Sequence, residues 1–311
     1  ATVLRPMAGA RQSGPSDGTV IAPPQRASGF ALGIGVNARY GLFDPERMAH
    51  AVVDEAMRNV TAAGADPAQA ALLDNFSWGD PRRPETLGDL VATVRGCCDA
   101  ARLYGAPFVS GKDSLNNEYV ASDGQRRSIP PTLVITALAH LPQADRAIGT
   151  ALRRAGNVLL LTGSSKREFG GSHFNLVTGD ESGTVPAPDP SAPQRYRRIH
   201  RLMNDGLVES AHDVSEGGLA VTLAEMAIGG DLGVDAQLAD EDECTALFSE
   251  SLGRIVLEVR EENVPAIVEA LGQEATVIGK TVADQTLKIS TPGGTHTWTL
   301  ADLERAWRGA A

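Results

Sequence analysis

The residues best placed to do chemistry are Glu55 and Asn59. They stand four apart in the helical pattern from Pro45 to about Ala63. At about 100° per residue, Met48, Ala51, Val52, Ala56 and Ala63 share one face of that helix. Arg47, His50, Asp54 and Arg58 read as the other side, whereas Glu55 and Asn59 fall in the middle of the apolar face. A carboxylate and an amide on a core-facing surface need partners, because an unpaired buried carboxylate is very expensive. A divalent metal with oxygen ligands supplies one. A satisfied core network, or hydrogen bonds to a neighbouring strand, is the alternative.

The run His212-Asp-Val-Ser-Glu-Gly-Gly-Leu219 carries a second chemical signal. It puts Asp213 and two glycines, Gly217 and Gly218, ahead of a helical pattern from Leu219 to Ile228. A helix start offers unpaired N–H groups and a positive dipole end, and glycines let phosphate oxygens reach that backbone. Asp213 could hold the metal that accompanies such phosphates. The plain alternative is a tight turn capped by Asp213 or Ser215.

Three further loops offer polar groups. Asp17, in Gly14-Pro-Ser-Asp-Gly18, reads as a turn residue, or as a carboxylate donor if that loop folds over the helix. Asp74 follows the apolar strand Ala70–Leu73, where sheets usually present ligand groups; it suits a base, a sugar hydroxyl or a metal, or simply caps a turn. Ser110-Gly-Lys-Asp-Ser-Leu115 looks like the tail of a P-loop, but no Gly stands five before Gly111 and residue 113 is Asp, so a Walker A site is excluded. What remains there is Gly111 with an exposed backbone, Lys112 to offset phosphate charge, and the Ser114 hydroxyl. Asp44 before Pro45 is explained as an N-cap followed by a first-turn proline. His173 and His212 flank glycine-rich loops, Cys97 and Cys98 read as packing within a helix, and no nucleophile–base arrangement can be argued.

These groups need elements to hold them. Strands are expected at Val20–Ile21, Phe30–Val36, Ala70–Leu73, Pro107–Ser110 and Leu133–Ala139, with helices over Pro45–Ala63 and Glu85–Leu103. Asp74–Pro84 and Gly111–Ser114 read as loops. After a polar connector the pattern restarts with strands at Val158–Leu161, Arg254–Val259 and Thr276–Lys280. Helices are expected at Tyr196–Asp205, Gly218–Ile228 and Val264–Leu271. This predicts two α+β units, 1–145 and 146–311. With 311 residues the chain is long enough for both. A net charge of −11 with no basic run argues against a generic nucleic-acid or anionic-membrane binder. The 3 cysteines make neither a disulfide framework nor a metal-ligand spacing. No membrane-span-length run or signal peptide is visible, so a cytosolic setting is expected. The opening Ala1-Thr-Val-Leu reads either as removal of an initiator Met or as excision from a longer protein.

Taken together, the chain resembles the superfamily of aminoimidazole ribonucleotide synthetase, and within it phosphoribosylformylglycinamidine synthase. The resemblance runs in order through Ser16-Asp-Gly-Thr-Val20, Asn37-Ala-Arg-Tyr40, Glu55-Ala-Met-Arg-Asn59, Leu73-Asp-Asn-Phe76, Gly111-Lys-Asp-Ser-Leu115, Gly170-Gly-Ser172, His212–Leu219, Leu247-Phe-Ser-Glu-Ser251 and Gly253-Arg254. It implies an N-terminal domain that pairs through its sheet and a C-terminal α/β domain, together the second of two fused copies. It implies magnesium held by Asp17, Glu55, Asn59 and Asp213 around ATP or ADP. Asp74 and Gly111 would contact nucleotide and Ser114 the substrate. Lys112 stands where the small form has a magnesium-binding Asn, and a protonated Lys cannot take that role. The implied reaction is ATP-dependent conversion of formylglycinamide ribonucleotide and ammonia to formylglycinamidine ribonucleotide. Its implied partners are the first half of the synthetase and a glutaminase, with a homodimer possible for the isolated chain. The alternatives are a stand-alone synthetase-like homodimer and a non-catalytic nucleotide-binding module.

Overall fold

A computed structural model describes residues 2–240 and 242–309. The first half is built on a sheet whose strands run, in spatial order, Thr2–Leu4, Gly18–Ile21, Gly29–Val36, Thr132–Leu141, Ala70–Ser77 and Phe108–Ser114. All neighbours are antiparallel except the last two, which are parallel. One face carries the helices Pro45–Ala62 and Pro84–Tyr104. Asp44 starts the first of these, its side chain accepting from the Arg47 N–H at 2.9 Å, with Pro45 in the first turn. Gly105, at φ 67°, ends the second.

The helix Pro45–Ala62 lies unusually close to the strand beneath it. A Cβ at Gly35 would stand 1.9 Å from the Val52 carbonyl oxygen, and one at Gly33 would stand 2.8 Å from the Asn59 Cβ. The strand's glycines are therefore required by the approach of the helix backbone, which brings Glu55 and Asn59 within reach of the strand's own peptide groups.

The opposite face of this sheet has no cover among the described residues. Burial alternates along Gly29–Val36, and Phe30, Ile34 and Val36 are 45%, 53% and 38% exposed. An apolar face left open this way is the signature of a surface that pairs with something.

The second half has a sheet ordered Ser210–Asp213, Ile255–Val259, Val158–Thr162, Ala275–Val282, Gly233–Gln237, Thr286–Thr291 and Gly294–Thr299. It is covered on both faces. Leu160, Leu257 and Val259 join the core formed with the helices Ala192–Asn204 and Val264–Leu271, and that core is continuous with the first half. Leu159, Leu161 and Val256 face the helix Gly218–Gly230 in a separate core. Coverage on both faces explains why Ile255–Val259 is buried at every position, and its one charged residue, Glu258, accepts from the Arg153 and Arg154 N–H groups, Asn157 Nδ2 and the Ser210 hydroxyl. No described helix is long and apolar enough to cross a membrane.

Several expectations are corrected. Asp74 is not in a loop after a short strand: the strand continues to Ser77, because Asp74 pairs with Ile135 on one side and Gly111 on the other. Likewise Gly111–Ser114 is not a loop but the end of the edge strand Phe108–Ser114. Asp54 and Arg58 are not on a solvent face; each is 2% exposed. His212 and Asp213 belong to a strand, Ser210–Asp213, that short length and polar composition hid. The helix after it is capped by Gly217, not by the side chain of Asp213 or Ser215.

Candidate functional site

Glu55 and Asn59 use the close approach of helix and strand directly. Glu55 Oε2 accepts from the Val36 N–H at 2.9 Å, and Asn59 Nδ2 donates to the Ile34 carbonyl at 2.7 Å. The amide's other atom, Asn59 Oδ1, is buried and has no hydrogen-bond partner among the described residues. Burial drives the Glu55 carboxyl well above its usual range, and the neighbouring charges of Glu216 and Asp213 push it further; Arg58 and the Val36 N–H act the other way. Glu216 is raised in the same manner, by burial first.

Asp213 is the hub between the two halves. Its Oδ2 accepts from Arg58 Nε and Nη2, both at 3.2 Å, and its Oδ1 lies 3.4 Å from the Ser215 hydroxyl. Its backbone N–H donates to Asp17 Oδ2 at 3.0 Å, while Asp17 Oδ1 is 2.6 Å from His212 Nδ1. Burial raises the Asp17 carboxyl, His212 opposes that, and Asp213 adds to it. Arg58 also donates to Asp54, which accepts from Tyr104, from Tyr196 at 2.6 Å and from the Gly253 N–H at 3.1 Å. The second polar stripe of the helix, Asp54 and Arg58, is thus the buried bolt that joins the halves.

Beside this network is a cavity of about 10 Å³, room for one water-sized centre, lined by Glu55, Arg58, Ser215, Glu216 and Glu250 among others. Three acidic side chains line one small space, and burial weakens two of them, Glu55 and Glu216, as acids. Asn59 Oδ1 is an unused oxygen donor on the same helix face as Glu55. The donor set is all oxygen, as magnesium prefers. Of the four residues read as ligands, Asp17 and Asp213 touch, and Glu55 feels the charge of Asp213. Arg58 already occupies one oxygen of Asp213.

The glycine turn differs from its expected use. Gly217 and Gly218 have φ of 79° and 69°, and a Cβ at Gly218 would meet the Phe248 backbone at 2.7 Å. Their conformation and packing alone demand glycine. Gly217 N–H donates to Glu250 Oε1 at 2.9 Å and Gly218 N–H to the Ser215 carbonyl at 3.0 Å. The anion at this helix start is Glu250, which also accepts from the His173 N–H at 2.8 Å and from the Tyr40 hydroxyl at 2.5 Å. A phosphate at these amides would have to displace it. Glu250 and Glu216 escaped the sequence reading; their only signal was an acidic residue inside each quoted motif.

Asp74, Gly111 and Ser114 form a separate group. Asp74 and Gly111 are register partners, and a Cβ on Gly111 would stand 2.0 Å from Asp74 Oδ1. Burial, then Asp113, raises the Asp74 carboxyl, and a bond from the Lys112 backbone opposes this. Lys112 donates its ammonium to Ser114 Oγ. Gly111 and Lys112 are exposed on this edge strand, and Asp74 and Ser114 are half-buried.

Comparison with known proteins agrees with this geometry. Residues 16–140 match the family described as "AIR synthase related protein, N-terminal domain", and 154–291 match "AIR synthase related protein, C-terminal domain". The chain is 34% identical over 297 residues to the phosphoribosylformylglycinamidine synthase subunit PurL of Limosilactobacillus reuteri, an alignment that covers 95% of this chain and 39% of that protein. It is 35% identical over 300 residues to the PurL subunit of Thermus thermophilus, covering 95% and 40%. The chain therefore spans about two fifths of these relatives' length. Its fold resembles Thermotoga maritima PurL, solved in complex with FGAR, with a TM-score of 0.76 at 18% identity over 96% of this chain and 49% of that one. The two family matches, in order along one chain and each centred on one of the two sheets, place it in the AIR synthase-related family, among the phosphoribosylformylglycinamidine synthase-related proteins.

Proposed function

We propose that this chain is one two-module half, 1–145 and 146–311, of a formylglycinamidine ribonucleotide synthetase acting in the cytosol. In this reading it binds a magnesium nucleotide, ATP or ADP, at the Asp17–Glu55–Asn59–Asp213 cluster. The observation that carries it is Asn59 Oδ1, a buried oxygen with no partner among the described residues, beside the Glu55 carboxyl, whose acidity is suppressed first by burial and then by Glu216 and Asp213. Magnesium there would neutralise phosphate charge and fix its orientation. The residues' own part is to bind and orient. Glu55 and Asn59 are held by strand peptide groups, and Asp213 and Asp17 come in from either side of the junction between the halves. Arg58 has to share Asp213 with the metal.

The parent reaction would activate the amide oxygen of formylglycinamide ribonucleotide with ATP, after which ammonia from a glutaminase partner displaces phosphate. In that scheme Asp74 and Gly111 contact nucleotide and Ser114 contacts substrate, on an exposed edge that another surface must complete. The open apolar sheet face of Phe30, Ile34 and Val36 supports such a partner, the first half of the same synthetase.

Calorimetric titration of magnesium ADP into the chain and into Glu55→Ala tests the nucleotide site. Saturable binding by the first and none by the second is expected; indistinguishable curves remove the assignment. The isolated chain given ATP, substrate and ammonia should show no turnover. Turnover in a homogeneous preparation would instead favour a stand-alone homodimeric synthetase.

A further inference from the structure

His212 is buried, and both of its ring nitrogens face carboxylates. Nδ1 is 2.6 Å from Asp17 Oδ1 and Nε2 is 3.1 Å from Glu225 Oε2. Both ring nitrogens are thus engaged in hydrogen bonds with acidic side chains on opposite edges of the ring. Glu225, on the helix Gly218–Gly230, is itself fixed: its Oε1 accepts from Trp307 Nε1 at 3.2 Å. A line of hydrogen bonds therefore runs from the C-terminal helix Leu300–Trp307 through Glu225 and His212 to Asp17.

Asp17, His212 and Asp213 offer atoms within 4.8 Å of one another, which by distance alone suggests three metal ligands. With both ring nitrogens already taken up by Asp17 and Glu225, His212 has none left to face a cation. It grips one oxygen of Asp17, while the Asp213 N–H grips the other at 3.0 Å. Asp17 sits just before the strand Gly18–Ile21 and is otherwise held only from the far half. We infer that His212, locked by Glu225, is a positioning residue that aims the Asp17 carboxylate at the bound cation and is not a ligand itself. This rests on the magnesium reading above, with a role for two residues that reading leaves unused. Carboxylate ligands depend on such outer partners, whose loss typically weakens metal binding by about 10–100-fold.

The test titrates Mn²⁺ into the full chain, reading free Mn²⁺ by electron paramagnetic resonance, with metal-free melting temperature as the control for folding. Asp17→Asn should abolish the site. Glu225→Leu should weaken Mn²⁺ by at least about tenfold, whereas Glu225→Gln, whose amide oxygen still accepts from Nε2–H, should stay within about threefold of the parent. That split separates a hydrogen-bond relay from a merely structural role. Glu225 borders a cavity lined by Val221, Ala224 and Ile228, so leucine has apolar neighbours there. His212→Phe, which deletes both bonds, gives a second variant with the same expected loss. Parent-like Mn²⁺ affinity in folded Glu225→Leu or His212→Phe overturns the inference. So does a preference for Ni²⁺ or Zn²⁺ that His212→Phe removes, since that makes His212 a ligand. If neither the parent nor Asp17→Asn binds Mn²⁺, the magnesium reading fails first and takes this role with it.

Discussion

Two polar clusters hang on the same sheet and differ in what closes them. The register row Gly35, Ile135, Asp74, Gly111 crosses three strand spacings, about 14–15 Å in all. At one end, Glu55, Asn59 and Asp213 are enclosed by the chain's own second half, and nearly every polar atom has an internal partner. At the other, Lys112 and Ser114 lie on the edge strand, with Asp74 on the strand next to it, and Lys112 bonds Ser114. The first cluster draws its hydrogen-bond partners from within this chain, whereas the second leaves Gly111 and Lys112 in contact with solvent.

If that contrast is right, the two clusters should answer to mutation on very different scales. The largest effect is expected at Arg58. Arg58→Met leaves Asp54 and Asp213 buried without their counter-charge, and breaking a buried pair from one side typically costs about 3–5 kcal/mol. Urea unfolding of the metal-free chain measures it. A loss below about 1 kcal/mol, the scale of surface pairs, would mean that the junction is wetter than the structure shows.

A smaller effect is expected from pH. The folded state raises the Glu55 carboxyl, so it binds that proton more tightly than the unfolded state does. The proton-linked stability is therefore fully present below the ordinary value of 4.5 and is lost as pH climbs through the raised folded value. Metal-free protein should thus weaken with rising pH, with Glu55 contributing at most about 1.4 kcal/mol per pH unit. Glu55→Gln should flatten that part of the profile, and saturating Mg²⁺ should remove it in the parent. Parallel profiles for parent and Glu55→Gln would show that Glu55 ionises normally and has no need of a cation.

Why was the first cluster so much more legible in the sequence than its surroundings? Glu55 and Asn59 broke a helical period, and a period fixes direction, so their inward aim could be read without a structure. The same rule misplaced Asp54 and Arg58, because this helix is covered on two sides. One side faces the sheet, the other faces Tyr196 and Gly253, some 140–200 residues away in sequence. Periodicity finds one apolar face, not a second face closed by a distant segment. Five of the six strands in the first half's main sheet carry the expected pattern and Thr2–Leu4 does not, while Asp74 and Gly111–Ser114 read as loops, since polar residues that continue a strand carry no local signal of pairing. His212 was visible only as a histidine beside glycines; its link to Glu225 crosses from strand to helix, and nothing in the spacing announces it.

The smallest expected effect lies on the exposed edge. Ser114 receives a bond from Lys112, and its neighbours on the strand face solvent. In the isolated chain, Ser114→Ala should change stability by no more than about 0.5 kcal/mol, the ordinary range for surface substitutions. In the complete synthetase the same change should lower the specificity constant for formylglycinamide ribonucleotide, because a lost hydroxyl bond costs about 0.5–1.5 kcal/mol, and more if it leaves a charged partner unpaired. Nucleotide retained at the Glu55–Asp213 cluster should be unaffected, since the two groups share no hydrogen bond and sit strands apart on the sheet. Steady-state kinetics and quantification of nucleotide carried through purification decide between the sites. An unchanged specificity constant together with lost nucleotide would mean that the edge strand serves the retained nucleotide and the buried cluster serves the reaction.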